Sequence, residues 1–139
     1  VLRYLRHHFM SHGIHSQAVA AELLAHSNEE QKHADQLAKR IVQLGGEPDS
    51  SPGSLLNRSH AEYVVGTTHA DMIKEDLVEE RIAIDSYRDF IHLGDQDPTT
   101  RQLLISILAI EEEHADDLTD LLQGIPPKAH ARQDAHETA

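Results

Sequence analysis

No cysteine occurs in the chain, which excludes disulfides, thiolate metal sites and thiol catalysis. Aromatic residues make up only 4% and tryptophan is absent, a poor supply for a β-sandwich core. Leucine, isoleucine, alanine, glutamate and aspartate dominate instead, the palette of a helical bundle. No apolar run approaches the roughly 20 residues needed to cross a bilayer, and no secretory leader is visible. The expectation is a cytoplasmic protein without a membrane. Basic residues are also scarce: 12 Lys and Arg stand against 24 Asp and Glu, for a formal charge of −12. Such a surface repels nucleic acid and anionic lipid and attracts cations. At 139 residues the chain fits one domain with a sizeable core.

What the sequence does hold is a phrase written twice. Glu-x-x-His-Ala-Asp-x-Leu begins at Glu30 and again at Glu111, among 12 histidines in all.

Four helical segments organise the chain. The first runs to about Ser11, with Leu2, Leu5 and Phe9 at helical spacing. It opens on "VLRYLRHHF", already mid-pattern and without a capping residue, so the expectation is that residues are missing upstream. The second runs from about Ser16 to Leu44 and stops at Gly45-Gly46. After the linker "GGEPDSSPGS" comes a short amphipathic piece around Leu55 to Val65. The third long segment spans about Thr68 to Leu93, and the last, capped by Asp97 or Thr99, runs to Leu122. Short turns join the first pair and the last pair, so each is an antiparallel hairpin, while a long connection separates the hairpins. The predicted architecture is all-α: a four-helix bundle of two hairpins joined by a crossover over 1–122, followed by a flexible polar tail over 123–139.

Residues seven apart return to nearly the same helix face. Three rows read Leu23-Glu30-Leu37-Leu44, Ile73-Glu80-Tyr87 and Leu104-Glu111-Leu118, and Ile107-His114-Leu121 runs beside the third. Each is apolar except where one glutamate stands in place of a leucine. Glu29, Glu79, Glu112 and Glu113 fall off these rows and read as solvated. Arg3, Arg81 and Lys32 fall on other faces.

Burying an unpaired carboxylate costs several kcal/mol, and three close together also repel one another. One solution is a buried polar network that holds the bundle in register, and a single Glu-x-x-His would ordinarily mean no more than that. Two matched copies, with a third inward glutamate on another helix, favour divalent metal. Positions i and i+3 share a face, so Glu30 with His33, and Glu111 with His114, can each offer a carboxylate oxygen and an imidazole nitrogen to one ion. Nitrogen and oxygen donors without sulfur suit iron or manganese, with zinc as a substitute. Glu80 has no counterpart on the first helix. Setting Tyr87 against Tyr4 gives an offset of 83, which places that counterpart upstream of Val1. His7, His8 and His12 lie a turn or more further along and are not taken as ligands.

The chain resembles the ferritin-like superfamily and, within it, the bacterioferritins. The resemblance covers about Val1 to Leu122 and is carried by "RYLRHHFM", "NEEQKHADQLAKRIVQLGGEP", "LVEERIAIDSYRDFI" and "ILAIEEEHADDL". It implies a dinuclear ferroxidase centre within one subunit, holding two iron ions. Glu30 and Glu111 would be ligands, one of them bridging, with His33 and His114 terminal and Glu80 supplied by the third long helix. Two departures matter. Bacterioferritins that bind haem carry methionine directly after the first Glu of the motif; here Gln31 stands there, so no haem is expected. The stretch "GIPPKAHARQ" is too polar and proline-broken for a fifth helix, which leaves the subunit count open between a dimer and a cage.

The leading functional expectation is a ferroxidase that oxidises Fe²⁺ with O₂ or peroxide and stores the product if an oligomeric shell forms. Tyr87, one heptad from Glu80, reads first as a packing aromatic and second as a donor of an electron or a hydrogen bond. A di-manganese or di-iron peroxidase or catalase on the same bundle is the alternative enzyme. A non-catalytic helical interaction protein is the alternative outside enzymology. A DNA-coating mini-ferritin would need a basic arm, for which Lys128 and Arg132 are too few.

Overall fold

A computed structural model describes residues 1–13, 16–59, 62–94 and 96–125. Among the described residues the regular structure is all helix: α1 (Leu2–Met10), α2 (Ser16–Gln43), a 3₁₀ turn (Pro52–Ser54), α3 (Leu55–Arg58), α4 (His69–Leu93) and α5 (Pro98–Gly124). The main packing is α1 on α2 and α4 on α5, which are the two expected hairpins. They meet through α2 with α5 and α1 with α4. None of these helices is long and apolar enough to cross a membrane.

Local chemistry accounts for the helix ends. The left-handed Gly45 (φ 84°) stops α2: its N–H bonds to the Val42 carbonyl, and the Gly46 N–H reaches back to Ile41. Thr68 and Asp71 close a reciprocal capping box at the start of α4. Asp97 caps α5 ahead of Pro98, accepting from the backbone N–H of Thr99 and Thr100. Arg40 of α2 donates to the same Asp97 at 2.7 Å, tying the end of one hairpin to the other.

Two local expectations change. Among the described residues, the short amphipathic piece expected around Leu55 to Val65 is helical only over the four residues of α3, and Leu55 and Leu56 are exposed. The last helix continues to Gly124, two residues past Leu122; the expected polar tail at 126–139 lies outside the described residues.

The core lies in layers. Tyr4, Leu23, Ile73, Leu77 and Leu118 pack together, with Val19, Ala115 and Leu121 against them. Leu23, Ile73 and Leu118 stand one heptad from Glu30, Glu80 and Glu111. On the other side of the acids lie buried Ile84, Leu104 and Ile107. Each buried aliphatic contributes about 1.5–3 kcal/mol. Between them these layers shield Glu80 and Glu111 from water.

Helix α1 departs from its expected face. Leu2 and Phe9 are exposed, and the helix buries Arg3, Tyr4, His7 and Ser11 instead. The reason is what α4 presents there. Asp76 and Glu80 are buried acids and require donors, which leucine and phenylalanine cannot supply.

Candidate metal centre

The three inward glutamates meet. One ligand atom each from Glu30, Glu80, Glu111 and His114 can be chosen so that all four lie within 4.8 Å of one another. They come from α2, α4 and α5, so the site exists only because both hairpins have closed. Glu80, Glu111 and His114 are buried, and Glu30 keeps 23% of its side-chain surface exposed. His33 stands at the edge of this group. Its Nδ1 is 2.9 Å from Glu111 Oε1 and 3.8 Å from Glu30 Oε1, and the His33 and His114 ring centroids are 6.3 Å apart. His114 Nδ1 faces Glu30 at 3.5 Å and Glu80 at 3.6 Å.

Among the described residues, four atoms here have no hydrogen-bond partner: Glu30 Oε1, Glu80 Oε2, Glu111 Oε2 and His114 Nδ1. Buried polar atoms are nearly always paired, so four orphans on four converging residues require an explanation. Donors sharing one ion, each about 2.1 Å from it, stand no more than about 4.2 Å apart. His114 Nδ1 lies 3.5 Å from Glu30, 3.6 Å from Glu80 and 3.8 Å from Glu111, inside that limit, and the donor set of carboxylate oxygens and imidazole nitrogen is one that a hard or borderline divalent ion takes. The residues fit such an ion.

Electrostatics describe the same tension. Burial, reinforced by Glu80 and Glu30, pushes the Glu111 carboxyl up to about 10. Burial also works against ionisation of Glu80, but polar contacts with His114, Glu111 and Tyr4 outweigh it and hold that carboxyl below its ordinary value. At His114, burial opposes the charge, yet Glu30, Glu80 and Glu29 raise it to about 11. His33 moves the other way, lowered by burial. Without a cation the protein thus relieves its crowded carboxylates with protons, on Glu111 and on His114.

Other residues complete the site in ways the sequence reading did not anticipate. Tyr4 served there only as an alignment mark, yet its hydroxyl donates to Glu80 Oε1. Burial, then the Glu80 charge, raises Tyr4 well above the usual phenol value. Glu29, expected to be solvated, accepts from His114 Nε2 at 2.6 Å, which turns Nδ1 toward the cluster. Glu79, also expected to be solvated, is half-buried and pairs with Arg3 at 3.3 Å. Arg3 itself is buried rather than outward-facing, donating also to the carbonyls of Glu62 and Glu75. Glu112 pairs with Arg88 at the surface.

His7 and Asp76 form a fully buried pair at 2.7 Å, one turn along from Glu80. Burial raises the Asp76 carboxyl despite the His7 contact. No periodicity within one helix announces a partner on another. Tyr87 is half-buried and is raised first by burial, then by Glu111, Glu30 and Glu80. Leu44, assigned to the inward row, is exposed because α2 has already ended at Gln43.

Comparison with known proteins agrees with this architecture. The family model of the ferritin-like domain matches residues 1–126. A bacterial ferritin of Neisseria meningitidis serogroup B is 35% identical over 98 residues, 68% of this chain. The chain spans 58% of the length of that relative. Among solved structures, the dodecameric thioferritin of Bacteroides fragilis, a bacterioferritin-related protein, superposes with a TM-score of 0.83 at 29% identity, covering 88% of this chain and 75% of that one. Dps from Thermosynechococcus elongatus reaches a TM-score of 0.82 over 99% of this chain and 84% of its own, and at 19% identity it speaks for the fold alone. The bundle, the duplicated motif and these relatives together place the chain in the ferritin-like family, in its bacterioferritin branch.

Proposed function

We propose that this chain is a bacterioferritin-like ferroxidase and iron-handling protein, with Fe²⁺ as its substrate at Glu30, His33, Glu80, Glu111 and His114. The observation that carries the reading is that donor atoms of Glu30, Glu80, Glu111 and His114 converge within 4.8 Å between two apolar layers, each of these residues also holding a buried polar atom without a hydrogen bond. In two-metal sites the ions stand about 3.5–4 Å apart. Imidazoles whose centroids are 6.3 Å apart, with carboxylates between them, suit two such ions.

The residues divide the work. Carboxylates are hard anionic donors, so Glu30, Glu80 and Glu111 favour Fe³⁺ over Fe²⁺ and help drive the oxidation. The imidazoles of His33 and His114 bind without adding negative charge. Tyr4 orients Glu80 and Glu29 orients His114, so the donors do not have to be gathered anew for each turnover. Two Fe²⁺ each release one electron; O₂ takes both with two protons and leaves as hydrogen peroxide, or peroxide takes them and leaves as water. Glu111 and His114 shed their protons as iron enters, next to where the oxidant needs them.

The curated relative is a bacterial ferritin and one structural neighbour is dodecameric, which supports a homo-oligomer that stores the oxidised iron. The likeness to a bacterial ferritin supports a cytoplasmic setting, and the acidic charge disfavours nucleic acid and anionic lipid as partners. The test is anaerobic loading with Fe²⁺ followed by O₂ or peroxide, read as ferric absorbance. Wild-type protein gives a fast phase that Glu30→Ala and Glu111→Ala remove. Oxidation no faster than in buffer refutes the proposal, and O₂ evolved from peroxide reassigns the site to catalase chemistry.

A further inference from the structure

A second group of ligating side chains lies beside the first and takes no part in it. Glu22 and His26 are four residues apart on α2 and share a face, and Asp117 approaches from α5. His26 Nε2 stands 3.3 Å from Glu22 Oε1 and 3.6 Å from Asp117 Oδ2. One donor atom from each of the three lies within 4.8 Å of the others.

His26 is the informative member. It is 1% exposed, and among the described residues neither ring nitrogen finds a hydrogen-bond partner. A buried imidazole with neither nitrogen hydrogen-bonded is costly, and here only the two carboxylates stand near Nε2. Its ring stacks on His114 at 4.0 Å between centroids and 22° between planes, and meets Tyr4 edge-on at 5.2 Å. So fixed, Nε2 faces the two carboxylates without bonding to either.

Among the described residues the outer side is open. The Glu22 and Asp117 side chains keep 40% and 46% of their surface exposed. They line a groove of about 930 Å³ between α2 and α5, whose wall also carries Asp120. A cation arriving along it would meet acids first and the buried nitrogen last.

We propose that Glu22, His26 and Asp117 form a mononuclear site for a divalent first-row ion of the Fe²⁺, Mn²⁺ or Zn²⁺ class, separate from the dinuclear centre. One neutral imidazole and two carboxylates carry two negative charges, which a divalent ion cancels, and water from the groove fills the remaining positions. The site is more exposed than the carboxylate cluster and exchanges its ion faster. The stacked His26 and His114 rings make the two sites direct neighbours.

Co²⁺ under anaerobic conditions is the probe, with calorimetry and the visible d–d bands counting equivalents per chain. Glu22→Gln, Asp117→Asn and their combination keep side-chain volume at exposed positions. Each variant is expected to lose one equivalent relative to wild type, with the rest unchanged. Glu30→Gln with Glu111→Gln should lose the cluster's equivalents and retain this one. An anomalous cobalt peak within bonding distance of His26 Nε2 is the second readout. Unchanged stoichiometry in the Glu22 and Asp117 variants, or no peak at His26, overturns the site. Unchanged stoichiometry in the Glu30 and Glu111 variant instead overturns the dinuclear reading and leaves this one standing.

Discussion

Replacing Glu111 by glutamine should move the protein in opposite directions depending on whether metal is bound. In the unfolded chain a glutamate titrates near 4.5, whereas burial and neighbouring acids raise Glu111 to about 10 in the folded one. Folding at pH 7 therefore takes up a proton. For an acid whose folded value is raised, that uptake costs stability increasingly as pH climbs from 4.5 toward 10. The two and a half pH units up to neutrality, at about 1.4 kcal/mol each, amount to about 3 kcal/mol.

Glutamine has the same shape as the protonated acid and donates as it does, but needs no proton. In chelator the variant should gain up to about 3 kcal/mol, or about 10 °C in Tm for a chain of this length. Metal reverses the order. An ion at a hundred times its Kd stabilises wild type by about 2.7 kcal/mol, and a site without the Glu111 carboxylate forfeits most of that. Thermal melts at pH 7, with chelator and with anaerobic Fe²⁺ or Zn²⁺, measure both effects, and a series from pH 5 to 9 should show the advantage in chelator growing with pH. A variant less stable than wild type in chelator, or one that keeps the full metal-induced shift, refutes the reasoning.

Tyr4→Phe leaves a buried Glu80 oxygen without its donor, so the metal-free protein should lose about 1–3 kcal/mol in denaturant titration, with part recovered on metal loading. At Gly66 an added methyl would stand 2.6 Å from Met72 Cγ and 2.7 Å from its backbone nitrogen. Gly66→Ala should therefore cost about 1–3 kcal/mol, read by the same titration, through displacement of the start of α4. The Thr100 hydroxyl and Arg40 hold Asp97 down at about 2 against an ordinary 3.8. A depressed acid contributes stability that is complete above 3.8 and lost as pH falls through 2. Asp97→Asn should lower Tm at pH 7 and flatten its dependence on pH in that window.

The amino-acid sequence determined the four long helices, the fold class and the inward acids, because each of these is written in local patterns. Helices repeat every 3.6 residues, so a glutamate in a leucine row declares its direction before any partner is known; Glu30, Glu80 and Glu111 were legible on that ground. Gly45-Gly46, Thr68 and Asp97 marked helix ends because capping is a matter of neighbouring residues. The heptad between His26 and His33 was also there to be read, and could have drawn attention to His26. Tertiary structure decided which groups meet. That α1 buries Arg3, Tyr4 and His7 rather than Leu2 and Phe9 depends on acids seventy residues away on α4, and no periodicity within α1 carries that information. The same holds for Glu29, whose place beside His114 arises only when α2 packs on α5, since a hydrogen bond or a shared ion needs distances between helices that only packing sets.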